Sequence, residues 1–213
     1  MIKVENIETW GFEHAIRGMR NPLNSWSRSD SSFGYEAYSG EFVPDLKIGE
    51  NDLKLMRQLY VGGQPHRKYL RQIFAVMDIT APLYWWKEFD TYKVGTTANS
   101  CSTMHKIAAK EFSIEDFSDE HLETGWLACL DDTIIPLLNR ARTKFIATKD
   151  KRYWWQMIQL LPSSYNQRRT VSMTYENVMN MLDYREGHKL DEWREFCKIL
   201  KQLPYVEEIR DGK

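Results

Sequence analysis

Residues 79–105 read ITAPLYWWKEFDTYKVGTTANSCSTMH, and the rest of the chain is arranged around them. The stretch opens on an apolar, bulky run, Ala81-Pro82-Leu83-Tyr84-Trp85-Trp86. Pro82 suits the first turn of a helix, where its missing N–H breaks no bond. A polar stretch follows over residues 87–93, then a loop dense in hydroxyls and small residues over 95–103. Two readings stand side by side. A buried helix can deliver a cation-flanked, hydrogen-bonding loop that holds a phosphate or a ring nitrogen. An ordinary helix followed by an ordinary polar loop has the same composition.

Working outward, Pro65-His66-Arg67-Lys68-Tyr69-Leu70-Arg71 predicts a short helix at 66–71, leading into a strand over residues 73–80 that includes Phe74, Val76 and Asp78. Downstream lie Leu160-Leu161-Pro162 and a β-branched, polar run that predicts a strand at 167–173. Thr174 then predicts a cap for a helix over 175–185 with Val178, Met181 and Leu182 as its apolar stripe. A last helix over 190–203 places Leu190, Trp193, Phe196, Cys197 and Leu200 on one face.

In this arrangement the chain resembles the flavin-dependent thymidylate synthases. That family carries an Ala-Pro segment with aromatic or aliphatic residues, then Arg-His-Arg, seven residues, and Ser-x-Arg. Without a gap, Arg-His-Arg falls on Thr91-Tyr92-Lys93, the serine on Cys101, the last arginine on Thr103, and a further hydroxyl position on Thr96. The family's His-Glu-Ser-x-x-Glu-His segment falls on 66–72: His66 keeps the first histidine, while Arg71 and Gln72 replace the last glutamate and histidine. The resemblance covers residues 50–110 and 155–200.

The resemblance implies an α/β (α+β) fold, with helices packed around a small mixed or antiparallel sheet in a single domain, 1–213. It also implies a homotetramer with active sites between subunits. In the family, reduced FAD supplies hydride, methylenetetrahydrofolate supplies carbon, NADPH is the reductant, and C5 of dUMP accepts the carbon. Carried over, Lys93, Thr96, Ser100, Cys101, Ser102 and Arg185 would contact the nucleotide, and His66, Tyr92, Asn99 and His188 the flavin. Such a site works by positioning and electrostatics, for which arginine's planar fork is well suited. Here Thr91 and Thr103 remove two guanidinium groups, and Glu88 stands where the family tends to place a neutral glutamine. A lost charged hydrogen bond is worth about 1.5–3 kcal/mol, so the two losses weaken anion binding roughly a hundredfold unless other groups compensate. Arg28, Arg71, Arg168 and Arg169 are the candidates. The implied functions are a flavin-dependent enzyme modifying C5 of a pyrimidine nucleotide, or a non-catalytic oligomeric nucleotide-binding or interaction protein that inherited the fold.

Composition sets outer bounds. The 213 residues allow a sizeable core, and eight Trp, eleven Tyr and nine Phe suit a large core, an interface or a stacking platform. A formal net charge of −1 gives no global attraction to nucleic acid or to an anionic membrane. Cys101, Cys129 and Cys197 form neither a disulfide framework nor a metal pattern, so a reducing, cytoplasmic setting is the expectation. No leader-like segment and no long apolar run is present, so neither secretion nor membrane spanning is expected. His14, His66, His105, His121 and His188 lack metal-ligand spacing, and no phosphate-binding glycine loop or nucleophile elbow occurs. Cys101, between Lys93 and Lys106, reads either as a nucleophile or as a small residue in a serine's place.

The remaining segments predict a strand over 1–10, a helix over 12–19, and an irregular or hairpin excursion over 34–49 punctuated by Gly40, Pro44 and Gly49. Leu53, Met56, Leu59 and Tyr60 predict a helix that stops at Gly62-Gly63. The Ser-rich segment 24–32 around Arg28 reads as a surface loop or as an anion-facing one. Residues 115–148 predict a long helix capped at 118–120 and kinked or split at Pro136, followed by a helix over 151–161 with Trp154, Trp155 and Ile158 as its apolar members.

Overall fold

A computed structural model describes residues 2–38 and 41–211; Gly40, read above as punctuation, lies outside the described residues. Strand β1 (Lys3–Trp10) leads into helix α1 (Phe12–Arg20), and β2 (Ser32–Tyr38) pairs antiparallel with β3 (Glu41–Lys47). Helix α2 (Glu50–Val61) ends at Gly62, and a 3-10 turn (Arg67–Gln72) enters β4 (Phe74–Pro82). Next come α3 (Leu83–Phe89), β5 (Thr96–Ser100), α4 (Thr124–Cys129), α5 (Ile135–Thr148) and α6 (Lys151–Leu160). Strand β6 (Asn166–Thr174), α7 (Tyr175–Arg185), α8 (Asp191–Lys201) and α9 (Val206–Arg210) complete the chain.

The main sheet has four antiparallel strands in the order β1-β4-β6-β5. Alternation decides which face is buried. Ala75, Met77, Ile79 and Ala81 of β4 point into the core with Val171 and Met173 of β6, while the intervening residues stay partly exposed. Helices α3 and α8 close that core with aromatic rings. Trp85 lies 4.9 Å from Trp193, 5.2 Å from Phe89 and 5.4 Å from Phe196, centroid to centroid, all four fully or nearly fully buried. A second apolar cluster, with Ile107, Phe112, Phe117, Leu138 and Met157, sits where α5 and α6 cover the 107–117 loop.

The structure departs from the sequence reading at several places. Residues 96–100, read as part of a polar loop, form edge strand β5 against β6. Four of the five are exposed, so no buried alternation marked them as a strand. Pro82 ends β4 with extended backbone and stands at the N-cap of α3 rather than inside its first turn. The long helix does not start at Ser118. Its hydroxyl is bonded to Tyr84 and Glu120, its N–H donates to Ser164, and Phe117 bridges Tyr165, so the segment is held out of the helix, through a turn closed by the Leu122 N–H on the Asp119 carbonyl, until Thr124. Before Pro136 the chain widens into a π turn (Leu130–Ile134), which accommodates a residue without an N–H and keeps 124–148 helical. Trp155 faces solvent, and Met157 fills the buried position of α6. The last predicted helix ends at Lys201, because Pro204 and the left-handed Tyr205 start the separate α9.

Candidate functional site

Helix α7 is tied to the loop after α3. The Thr174 hydroxyl accepts from the Asn177 N–H, as the cap predicted, and Asn177 Nδ2 donates to the Val94 carbonyl at 2.8 Å. Thr174 N–H in turn donates to the Gly95 carbonyl at 3.1 Å. Gly95 has φ +80°, and a Cβ there would lie 2.5 Å from Asn177 Oδ1. Gly95→Ala is therefore expected to cost at least about 1–2 kcal/mol from the left-handed backbone, read as a lowered urea midpoint. An unchanged midpoint would contradict this clamp.

That clamp shapes a cleft of about 410 Å³ between the 91–95 loop and α7, lined by Arg71, Tyr92, Lys93, Glu176, Asn177 and Asn180 among others. Arg71 Nε lies 3.1 Å from Glu176. On the other side of Tyr92 lies Arg185, in the last turn of α7. Its Nε donates to the Tyr92 hydroxyl at 3.0 Å, its Nη1 to Glu88 Oε2 at 3.0 Å, and its guanidinium carbon lies 5.1 Å from the Trp193 ring centre. A planar cation held between two rings and a carboxylate is rigid and largely desolvated. Nearby, His188 Nδ1 accepts from the Leu190 N–H at 3.2 Å, so the neutral ring carries its proton on Nε2. Burial, followed by the charge of Arg185, holds His188 below its ordinary pKa.

The candidate residues divide into groups. Lys93, Tyr92 and Thr96 gather at one turn, where the Thr96 hydroxyl donates to the Tyr92 carbonyl, and Arg185 joins them through the Tyr92 hydroxyl. Ser100 lies about 13 Å further along extended β5, with Asn99 beside it and both exposed. Cys101 is exposed, its N–H donating to Arg168 and its carbonyl accepting from Gln167. The Ser102 hydroxyl accepts from the His105 N–H. His66 lines a different cleft of about 590 Å³, with Asn21, Leu59, Lys68 and Gln72. Within one chain, His66, Tyr92, Asn99 and His188 thus share no described cleft and do not fit FAD as a single site. Of the compensating arginines, Arg168 is paired with Asp78 and Glu5, and Arg169 with Asp90 over the Trp86 ring. Arg71 lines the first cleft and Arg28 another. Asn177 and Asn180, spaced three apart on α7, escaped the sequence reading because they flank its apolar stripe; their polarity at helical spacing was the available signal. Among the described residues no group of three His, Cys, Asp or Glu side chains converges as for a metal ion, and no helix is long and apolar enough to cross a membrane.

A four-stranded antiparallel sheet with an aromatic core under α3 and α8 defines the class: mixed α/β, with the fold of the flavin-dependent thymidylate synthases. The flavin dependent thymidylate synthase ThyX from Helicobacter pylori, solved in complex with FAD and dUMP, matches with a TM-score of 0.68 and 17% identity over 99% of both chains. A second structure of Thymidylate Synthase X from the same organism, also with FAD and dUMP, matches with a TM-score of 0.68 and 17% identity over 100% of this chain and 99% of that one. No family model matches the sequence, and no curated protein matches it.

Proposed function

We propose that this chain binds a pyrimidine nucleotide such as dUMP at the Arg185 wall and the adjoining cleft. Assembled with further copies, it works as a flavin-dependent enzyme modifying C5 of the pyrimidine, with FAD as cofactor and methylenetetrahydrofolate and NADPH as co-substrates. The observation that carries this reading is Arg185, stacked on Trp193 and bonded to Tyr92 one residue from Lys93. Arg185, held in place, and exposed Lys93, with polar Asn180 lining the adjoining cleft, offer a phosphate and a pyrimidine edge their partners. An assembly of copies, taken as a homotetramer, has support in the accessible surface. At 12834 Å² it exceeds the about 10,300 Å² expected for a compact monomer of 25.3 kDa.

One observation favours a second reading, a non-catalytic nucleotide-binding protein. Glu88 already occupies the fork of Arg185, as a phosphate would. An incoming anion must displace that carboxylate. Arg185→Ala is expected to weaken dUMP binding by about tenfold to a hundredfold, the worth of a charged hydrogen bond. Glu88→Gln, which frees the guanidinium without adding bulk, is expected to strengthen it. Unchanged dUMP affinity in both variants places the nucleotide elsewhere. Titration with FAD, with and without dUMP, separates the two functions: yellow colour and flavin absorbance retained by the protein support the enzyme. Nucleotide binding without flavin uptake supports the second reading.

A further inference from the structure

A polar cleft of about 680 Å³ lies between the turn after α1 and the flank of α2, apart from the residues assigned to the nucleotide. Three cations line it, Arg20, Arg28 and Lys54, and among the described residues no carboxylate does; Ser25, Ser27 and Asn51 stand between them. The floor is built with care. Arg20 is 3% exposed and is held from behind by Asp52, which is 0% exposed, through Nε to Oδ1 at 2.5 Å. The other oxygen of Asp52 accepts from the Ser29 and Ser31 hydroxyls at 2.7 Å and from the N–H groups of Asp30 and Ser31 at 3.1 Å. The carboxylate is therefore saturated, and its role is to hold a guanidinium.

Arg20 is not saturated. Nη1 donates to the carbonyl and hydroxyl of Ser25 at 3.2 and 3.3 Å, but Nη2 is buried without a partner. An unmet buried donor costs about 1–3 kcal/mol, and more on a charged group, so a structure retains one chiefly where something else meets it. Arg28 and Lys54 are exposed, and neither has an ion-pair partner among the described residues. A cavity with one anchored guanidinium at its base, two free cations and several hydroxyl and amide donors matches a tetrahedral oxyanion.

We propose that this cleft binds a phosphate group, with Arg20 Nη2 as the buried donor and Arg28 and Lys54 closing on it from the rim. The group is either a free phosphate or pyrophosphate, or the phosphate of a second nucleotide whose base stays outside the cleft, distinct from the one held at Arg185. Inorganic phosphate, pyrophosphate, dUMP and uridine, titrated separately into the full chain by calorimetry, distinguish these sources. Phosphate or pyrophosphate is expected to bind at millimolar strength or better, and uridine to leave this cleft untouched. The double variant Arg28→Ala/Lys54→Ala removes two exposed, unpaired side chains and should fold as the parent does, checked by an unchanged thermal midpoint. It is expected to weaken phosphate about tenfold or more. Arg185→Ala is expected to leave phosphate binding in this cleft unchanged while weakening dUMP, which separates this site from the nucleotide reading. Equal affinity in the double variant and the parent, or no binding up to about 10 mM phosphate and pyrophosphate, would overturn the proposal.

Discussion

Trp193→Ala is expected to cost about 3–5 kcal/mol of stability and to release Arg185 in the same step. The indole is fully buried and stands within 6.3 Å of the rings of Trp85, Phe89, Tyr92, His188 and Phe196, and it also carries the Arg185 guanidinium on its face. Deleting it opens a cavity bordered by rings that cannot all collapse inward, and removes the surface on which the guanidinium lies. Urea unfolding should show the loss as a lower midpoint at similar slope, and dUMP affinity should fall alongside. Trp193→Phe separates the two roles. The indole N–H has no partner among the described residues, so losing it forfeits no bond, and the smaller ring, which leaves a smaller void than alanine does, is expected to cost less than Trp193→Ala. Nucleotide binding should then fall only modestly, since a phenyl face attracts a guanidinium less than an indole does. A Trp193→Ala protein as stable as the parent would refute this account of the core.

Asp52→Asn is the second large effect, about 3–5 kcal/mol, because the amide leaves Arg20 as a buried charge without its counter-ion. The pH dependence has a definite sign. Burial pushes the Asp52 carboxyl up, but hydrogen bonds from Ser31, Ser29, Arg20 and the Asp30 N–H outweigh it and hold the pKa below the ordinary value. A depressed folded pKa contributes stability that is present above the unfolded value of about 3.9 and is lost as pH falls through the lower folded value. The parent and Asp52→Asn should therefore differ most near neutral pH and converge in acid below about pH 4. A gap that stays constant from neutrality into that range would show that the charge of Asp52 is not what the variant removes.

Several elements follow from local chemistry, and these the sequence reading located well. Thr174 caps α7, Gly62 ends α2, alternating residues build β4 and β6, and Trp193, Phe196 and Leu200 line α8, since capping and burial periodicity operate within a few residues. The resemblance in 79–105 led to the fold by the same route, through a buried strand running into an aromatic helix. Strand β5 was missed because an exposed edge strand carries no periodic signal, and the start of α4 because Ser118 bonds to Tyr84, 34 positions away.

The candidate site was legible as a set of residue types and illegible as an arrangement. The sequence by itself determined the buried strands and capped helices with a local signal, which faces are apolar, and which arginines of the family's pattern are absent. Only the tertiary structure decided that Glu88 fills the fork of Arg185, that Arg168 and Arg169 are committed to other carboxylates, and that Arg20 and Asp52 meet beneath a cationic cleft. The reason is physical. Whether a charge is free to meet a ligand depends on which opposite charge packing brings within about 4 Å, and partners drawn from 32 to 97 positions away leave no trace in local sequence.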